Sequence, residues 1–389
     1  MKINVCLFMV ALVVAAFPIC ARSAPYSGGD GSAENPYQIA TAADYRQLTS
    51  TPAHWSLSFI LTADINLAGV AIVPVGNSTT VFNGIFDGNG HVIRNASMNY
   101  SNNSKVYFVG LFGLFQLGQI KNLGVVNADI EGANRVGVLV GQSYQGTITA
   151  CYSTGSAVAT SNYVGGLVGD NMGTITSCYS TALASSYSAA GGLVGVNDGA
   201  FGKIINCYAS GEANGTSDIA GLVGVNNNGS ITNCYATGLI SASSHAAGLV
   251  GKNSGTITSC IWDIQTTGKT VGVDFGTGTI TGTAGKSTAD MKTLSTFTDA
   301  EWDFTVSEGD PADWWMPAND YPRLVWQPIT GDIAGLYGVN FVDFGVFAAH
   351  WGQTGCPAGC ENADINNSGT VDISDLMLLA DNWLKGISL

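Results

Sequence analysis

The feature that most constrains this chain is a repeat in its middle part. The motif Leu-Val-Gly recurs at spacings of 28, 26, 29 and 27 residues; its glycines are Gly141, Gly169, Gly195, Gly224 and Gly251. The surrounding segments are short and glycine-rich and alternate apolar with polar residues, which favours strands over helices. One unit cannot bury its apolar face alone, whereas stacked units can. We therefore predict an all-β fold, a parallel β-helix (β-solenoid) of about 27-residue coils.

Five cysteines share one position of the repeat: Cys151, Cys178, Cys207, Cys234 and Cys260. Metal-binding cysteines usually come in close pairs, and the repeat contains none. A buried thiol behaves as a small apolar group, so we predict a structural ladder of free thiols. The alternative is a disulfide between neighbouring rungs, although five thiols cannot all pair.

Four asparagines also share one position, two residues after the motif glycine: Asn171, Asn197, Asn226 and Asn253. Stacked amides can hydrogen-bond from rung to rung, which predicts a second structural ladder. A row of sugar-binding amides is the alternative. Between Ile175 and Cys178 the two-residue alternation slips by one, which predicts a bend or bulge at this point.

The pattern G-L-V-G-x-N-x-G-x-I-x-x-C-Y resembles the GLUG repeat of secreted and surface bacterial proteins. The resemblance extends from Val109 to Asp263, and the first unit departs from it with Phe112 in place of valine and no cysteine. It implies an adhesin-like role, in some proteins beside a protease, and no catalytic role for the repeat itself.

The N-terminus combines Lys2, an apolar run from Val5 to Phe17 and small residues up to Ala24. This pattern is typical of a secretory signal peptide, residues 1–24, and the run is too short to span a membrane. We therefore expect a secreted, extracellular or cell-surface protein. The formal net charge of -14 argues against a nucleic-acid partner.

Both flanks of the repeat have predicted roles. Residues 25–108 are expected to form the N-terminal cap and first coils, with Thr41 capping a short helix over 42–48. The repeat proper is placed at 109–265 and a C-terminal cap at 266–327. In that cap, five aromatic residues are expected to form a hydrophobic lid over the last coil, with a sugar platform as the alternative: Trp302, Trp314, Trp315, Tyr321 and Trp326.

The last segment, 328–389, contains a calcium-loop pattern of the EF-hand type. Oxygen-bearing residues alternate at Asp364, Asn366, Ser368, Thr370 (through its carbonyl), Asp372 and Asp375. Gly369 stands where such a loop turns sharply, and Ca²⁺ takes six to eight oxygen ligands. A helical pattern follows. We predict a small α-helical domain with one strong Ca²⁺ site.

This loop ends in aspartate and precedes a single helix, and it therefore resembles the loop of a type I dockerin. Dockerins carry two such loops; the first here keeps Asp332, Asn340 and Asp343 but lacks two ligands and the turn glycine. We predict that this second site is weak or empty. The resemblance implies a cohesin-like partner, or another surface scaffold protein. Separately, Cys356 and Cys360 are close enough in sequence for a local disulfide.

Two functions are consistent with the sequence. The first is a secreted or cell-surface binding and adhesion protein, attached through its calcium-dependent module, with polysaccharide as a candidate ligand. The alternative is an extracellular lyase or glycoside hydrolase acting on polysaccharide, which rests on analogy of fold. Hydrolysis needs converging carboxylates. The acids of the repeat are scattered, so we assign no catalytic residue; Asp87, Asp170 and Asp198 would be examined first if activity were found.

Overall fold

The computed structural model describes residues 26–103, 105–305, 313–317, 319–327, 339–355, 360, 363–366, 368–381 and 383. The predicted fold class is confirmed, because the described chain forms a parallel β-solenoid followed by a small helical unit. The predicted signal peptide, Asp332 and Cys356 lie outside the described residues. No helix within those residues is long and apolar enough to cross a membrane.

Two parallel sheets of 15 and 14 strands form the walls of the solenoid. The first contains Tyr37–Ile39, Ser58–Leu61, Ile85–Asp87, Phe112–Gln116, Gln119–Lys121, Val140–Thr149, Val168–Thr176, Val194–Asp198, Lys203–Ile205, Val223–Asn227, Ser230–Thr232, Val250–Asn253, Thr256–Thr258, Val273–Gly276 and Thr279–Thr281. The second contains Ile65–Asn66, Val92–Arg94, Ser97–Asn99, Gly124–Gly137, Tyr152–Gly165, Tyr179–Ser180, Leu183–Gly191, Tyr208–Ala209, Ala213–Ala220, Tyr235–Ala236, Ile240–Ala242, Ala246–Ala247, Ile261–Asp263 and Ala284–Lys286.

Four α-helices and a short antiparallel pair complete the described elements. The helices are α1 (Ala42–Thr49), α2 (Ser295–Thr298), α3 (Phe341–Ala349) and α4 (Ile373–Asp381), with 3₁₀ turns at Pro52–His54 and Asp290–Lys292. The antiparallel strands are Trp314–Trp315 and Arg323–Leu324.

An inward row of apolar side chains runs the length of the first sheet. Its ten residues are joined by parallel pairing and are Tyr37, Phe59, Phe86, Ile120, Ile148, Ile175, Ile204, Ile231, Ile257 and Ile280. All except the two terminal members are completely buried. Stacking therefore gives each coil an inner face that a single coil could not bury.

The predicted bend between Ile175 and Cys178 is confirmed. Ser177 has φ 51°, in the left-handed region, and the strand ends at Thr176. The chain turns a corner here, and this is why Ile175 and Cys178 both point inward although they are three residues apart. Equivalent corners occupy the same position in other coils, at Asn122, Ala150, Asn206, Asn233 and Ser259.

The motif glycines are needed because backbones approach each other closely. A Cβ added at Gly169 would lie 2.7 Å from the carbonyl carbon of Arg135 and from the carbonyl oxygen of Gly141. Both neighbours are main-chain atoms that cannot move aside as a side-chain end can. The Leu-Val-Gly signature therefore marks where a strand packs against the corner of the preceding coil.

The N-terminal end of the solenoid is closed. Thr41 caps α1, as predicted, and Asp44 completes a capping box with it. Tyr45 and Leu48 of this helix are buried in the solenoid core. The outer edge of the first strand is also occupied, because Gly28 pairs with Gln38 in an antiparallel bridge.

The solenoid continues past the predicted end of the repeat at residue 265. Three further parallel strands, Val273–Gly276, Thr279–Thr281 and Ala284–Lys286, add another coil. The described residues between 287 and 327, called the strap below, do not cover this coil as a lid. They run back along the side of the solenoid, since Trp326 contacts Ser177, several coils away from the end.

Candidate functional site

The asparagine ladder is a continuous chain of buried hydrogen bonds. The Nδ2 atom of each residue donates to the Oδ1 atom of the next: Asn171 to Asn197 at 2.8 Å, Asn197 to Asn226 at 2.9 Å and Asn226 to Asn253 at 2.7 Å. All four side chains are buried. A buried amide already bonded on both sides has no group to offer a sugar, so the geometry favours the structural interpretation.

The cysteine ladder is equally regular. All five thiols are free and buried. The backbone N–H of Cys178 donates to the Sγ atom of Cys207 at 3.4 Å, and Cys207 repeats the contact with Cys234. Burial raises the pKa of the Cys178 and Cys234 thiols. A neutral, inaccessible thiol is a poor nucleophile and a poor metal ligand.

A third ladder was missed by the sequence analysis. The rings of Tyr152, Tyr179, Tyr208 and Tyr235 stack face to face, with centroids 4.9, 4.8 and 4.7 Å apart and ring planes within 6° of parallel. The signal was present, because each of these tyrosines directly follows a ladder cysteine in the repeat motif. The repeat period by itself does not indicate that another segment of the chain packs over these rings.

The strap is what covers the tyrosine ladder. Trp326 lies against Tyr179 at 5.8 Å, and Trp314 lies against Tyr235 at 5.9 Å. The hydroxyl of Tyr235 donates to the carbonyl oxygen of Pro322. The expected lid over the last coil is therefore wrong in position. The sugar-platform alternative is also disfavoured, because the indole of Trp314 is buried between the strap and the ladder.

Asp263 ties the strap to the solenoid at two points, one near each end of the strap. Its carboxylate is fully buried and accepts hydrogen bonds from the hydroxyls of Thr288 and Tyr321, at 2.7 and 2.8 Å. The N–H groups of Gln265 and Thr266 also donate to it. Burial raises the pKa of Asp263, but these hydrogen bonds outweigh it and hold the pKa below its ordinary value.

The most buried ion pair of the described repeat region joins the partly buried Arg135 to the buried Asp170. The Nε atom of Arg135 donates to Oδ2 of Asp170 at 2.9 Å, and Gln142 donates to the same oxygen. The guanidinium lies 5.1 Å from the ring centre of Tyr163. Burial raises the pKa of Asp170, and Arg135 opposes that rise. The other carboxylate oxygen of Asp170 is buried without a hydrogen-bond partner among the described residues.

The other two acids considered for catalysis are engaged in surface contacts. Asp87 lies 3.4 Å from Nζ of Lys121 and accepts a hydrogen bond from Asn122. Asp198 accepts a hydrogen bond from Asn227 on the next coil. Asp198 and Asp170 lie on the same face of adjacent strands, because Asp170 is paired with Val196, two residues before Asp198. Asp87 belongs to a distant coil.

The predicted calcium loop is wrapped around two buried carboxylates. Asp364 accepts from the N–H groups of Ser368 and Gly369, at 2.9 and 2.8 Å, and Asp375 accepts from those of Asn366 and Asp372. Gly369 has φ 89°, which supplies the sharp turn. Asp372 caps α4 through the N–H of Ser374.

One hydroxyl of this loop lies between Asp364 and the carbonyl of Thr370. Ser368 Oγ lies 3.5 Å from Oδ1 of Asp364 and 3.1 Å from the carbonyl oxygen of Thr370. Histidine, cysteine and acidic side chains alone form no cluster of three among the described residues. A cation here would therefore depend on amide, hydroxyl and carbonyl oxygens beside the carboxylates, a donor set that fits Ca²⁺ and does not fit softer metals.

The first loop of the tail can be described only at its end. Asn340 caps α3, and its N–H donates to Oδ2 of Asp343 at 2.8 Å, the same arrangement that Asp372 and Asp375 make before α4. The two halves of the tail are therefore built alike at the helix starts. Asp332, the predicted first ligand, lies outside the described residues. Cys360 is disulfide-bonded, and its predicted partner Cys356 lies outside them as well.

The two tail helices leave an apolar depression between them. Its volume is about 450 Å³, and it is lined by Phe341, Phe344, Leu376, Leu379, Ala380 and Trp383. Phe341 is among the most exposed large side chains of the described chain. Such a surface on a small module is typical of a protein-binding face.

Comparisons with known proteins support the repeat assignment. The family model of the GLUG motif matches residues 186–214 and 215–241. Halomucin from Haloquadratum walsbyi is 34% identical over 152 residues, which are 36% of this chain and 2% of halomucin. A protein from Evansella cellulosilytica, provisionally described as a glycine-rich membrane protein, is 33% identical over 133 residues, which are 32% of this chain and 15% of that protein.

A solved structure shares the fold. The crystal structure of a Bacteroides ovatus protein, provisionally described as an immunoglobulin A1 protease, has a TM-score of 0.57 and 22% identity, covering 78% of this chain and 96% of that one. At this identity the likeness shows the fold alone. The middle of this chain therefore consists of GLUG-motif repeats folded as a parallel β-solenoid. The chain spans only a small fraction of the two curated relatives that it matches.

Proposed function

We propose that this chain is a secreted, non-catalytic binding protein that holds extracellular polysaccharide along the side of its solenoid. The observation that carries the proposal is an array of hydroxyl groups on the outer face. Two outward rows flank the buried isoleucine row; their hydroxyl-bearing members are Thr147, Thr149, Thr174, Thr176, Ser230, Thr232, Thr256, Thr258, Thr279 and Thr281. None of these hydroxyls donates or accepts a hydrogen bond within the described part of the chain.

The array has a regular spacing that suits an extended ligand. Neighbouring coils place equivalent hydroxyls about 4.8 Å apart, and two residues along a strand span about 6.7 Å. A polysaccharide presents hydroxyls at comparable repeats and can bond to several rungs at once. Multiple weak contacts in a row give useful avidity although each is worth little. Lys203 and Ile205 interrupt the rows in one coil, which makes the three coils after it the best part of the array.

The tail module (the described residues between 339 and 383) is proposed to attach the protein to a scaffold or surface. Bound Ca²⁺ would be held by Asp364, Asn366, Ser368, Asp372, Asp375 and the carbonyl of Thr370, and it would stabilise the loop that starts α4. The apolar depression between α3 and α4 then provides a docking face for a cohesin-like or other scaffold protein. Phe341 and Val342 make this face more apolar than the small polar pair expected of dockerins.

One observation favours a catalytic alternative. Asp170 and Asp198 lie on one face of adjacent strands, and burial raises the pKa of Asp170. Two carboxylates with different environments are what an inverting glycoside hydrolase requires, one as acid and one as base. Against this, Asp170 is buried in its pair with Arg135, whereas a general acid must reach the glycosidic oxygen.

A single assay separates the two functions. The mature protein is mixed with insoluble plant and algal polysaccharides, and retention and newly formed reducing ends are measured in parallel. The binding proposal predicts retention that is weakened by the double variant Thr256→Val, Thr258→Val and is unchanged by Ser241→Ala on the other sheet. Reducing ends that disappear in Asp198→Asn would establish the enzyme instead. If the protein is not retained and releases no reducing ends, the proposal of a polysaccharide ligand is refuted.

A further inference from the structure

The two ends of the solenoid differ in how their core is finished. At the N-terminal end, Tyr37 begins the inward row and is only 9% exposed. At the C-terminal end, Ile280 closes the same row and is 47% exposed, whereas Ile257 one coil earlier is completely buried. The last coil therefore presents a core residue to solvent.

Other residues of the last coil share this exposure. All three residues of Thr279–Thr281 are exposed, and Val271 and Phe275 are each about half exposed. No described strand pairs with the outer edge of Val273–Gly276, Thr279–Thr281 or Ala284–Lys286. The strap cannot supply the cover, because it runs back over the tyrosine ladder. An open edge of this kind, with free N–H and C=O groups beside apolar side chains, readily pairs with another strand.

We propose that the open end binds the open end of a second copy of this chain, across a two-fold axis that passes close to Ile280, the exposed core residue of that end. Two solenoids that meet end to end in this way have antiparallel facing strands, because each chain circulates in the same sense as seen from its own end. Antiparallel edges are self-complementary in their backbone hydrogen bonds, and a two-fold interface needs such self-complementarity.

The competing head-to-tail arrangement is blocked by the other end. There α1 covers the core and Gly28 already occupies the edge of the first strand. Filament growth is thereby prevented and only a closed dimer remains. Because only the C-terminal end is open, the surface available to it on a second copy is the same C-terminal end.

Charge points to the same face. The chain as a whole carries a formal charge of -14, which opposes association of copies. The last coil, residues 264–286, contains two lysines and one aspartate, Lys269, Lys286 and Asp274, and so carries a formal charge of +1. The open end is therefore nearly neutral in an otherwise acidic molecule, and two copies that meet there bring only one unit of like charge against another.

Sedimentation velocity on the mature full-length protein over a range of concentrations tests this proposal. Wild type is expected to form a dimer, and Ile280→Lys is expected to weaken it at least tenfold by placing two charges at the axis. Leu239→Lys is the matched control, since Leu239 is 55% exposed on the side of the solenoid. Met377→Lys serves the same purpose for the apolar surface of the tail module.

A cross-linking experiment identifies what binds at the open end. Ile280→Cys is expected to yield a disulfide-linked dimer under mild oxidation, whereas Leu239→Cys and wild type are not. A protein that stays monomeric at high concentration would overturn the proposal. So would a dimer that Ile280→Lys leaves intact, or one lost in Met377→Lys, because either result places the interface elsewhere. A monomeric Ile280→Cys variant whose introduced thiol resists thiol reagents would assign the open end to another segment of the same chain.

Discussion

The indole Nε1 of Trp326 donates a hydrogen bond of 2.9 Å to the carbonyl oxygen of Ser177, across 149 residues of sequence. Ser177 is one of the left-handed corner residues, so its carbonyl is available at the edge of a coil. The strap is thereby tied to the middle of the solenoid and not only to its last coil. Unfolding of the strap and fraying of the coils beneath it are consequently coupled.

Trp326→Ala should loosen the end of the strap. It removes the bond to Ser177 and the ring contact with Tyr179, and the expected loss of stability is about 2 kcal/mol. Limited proteolysis followed by mass spectrometry should show faster cleavage within the strap. Val325→Ala, at an adjacent and more exposed position, should leave the cleavage rate near that of wild type. Equal rates in all three proteins would contradict a strap held by Trp326.

The attachment of the strap should also depend on acid pH through Asp263. Because the folded-state pKa of Asp263 is below its ordinary value, its contribution to stability is present above about pH 4 and is lost as pH falls through the folded-state pKa. Tryptophan fluorescence followed from about pH 6 to about pH 2 should report the release. In Asp263→Asn, which cannot ionise, the acid-dependent change should be smaller and the protein less stable at neutral pH. An unchanged acid transition would show that another group controls it.

The buried amides of the asparagine ladder should contribute more to the free energy of unfolding than exposed amides of the same repeat do. Asn197→Ala removes a residue that donates to Asn226 and accepts from Asn171, and it leaves both partners buried with an unmet hydrogen bond. The expected cost is about 3 kcal/mol. Asn227→Ala, which loses only an exposed bond to Asp198, should cost under about 1 kcal/mol. Thermal unfolding of the two variants measures the difference, and similar midpoints would argue against a stabilising ladder.

Calcium should bind the tail module at one strong site. Titration calorimetry on the mature protein is expected to show a single tight event that Asp364→Asn weakens at least tenfold, because Asp364 is buried in the loop and is its predicted first ligand. Asp332→Asn changes the equivalent position of the first loop and should leave this event unchanged. Two tight events, or none, would be inconsistent with the predicted pair of one strong site and one weak or empty site.

The periodic parts of the fold could be predicted from sequence because stacking in register repeats each environment. Ile175, Cys178 and Asn171 recur at fixed positions, and each predicts its own inward row. The strap could not be placed in this way. Trp314 and Trp326 follow no period, and their partners are the tyrosines of coils far away in sequence. Their apolar character predicted a lid, and only three-dimensional packing shows that they cover a side and leave the end open.

The candidate sites also differ in whether local sequence or contacts between distant segments determine them. The calcium loop is local, so the alternation from Asp364 to Asp375 is enough to predict a ligand set, and that set stays a prediction. The hydroxyl rows on the outer face arise from the same register as the isoleucine row, but their exposure depends on where the strap lies. The burial of Asp170 behind Arg135 arises between coils, from residues 35 apart. A contact between residues on different coils cannot be predicted from the local sequence around either residue.

The most direct test of the proposed function is a time course of retention and reducing-end release on whichever polysaccharide binds the mature protein. A non-catalytic binding protein should show saturable retention that persists in a chelator, because the hydroxyl rows belong to the solenoid, and no reducing ends above the protein-free control. Reducing ends that increase in proportion to protein and time, and that are lost in Asp198→Asn, would contradict a non-catalytic role.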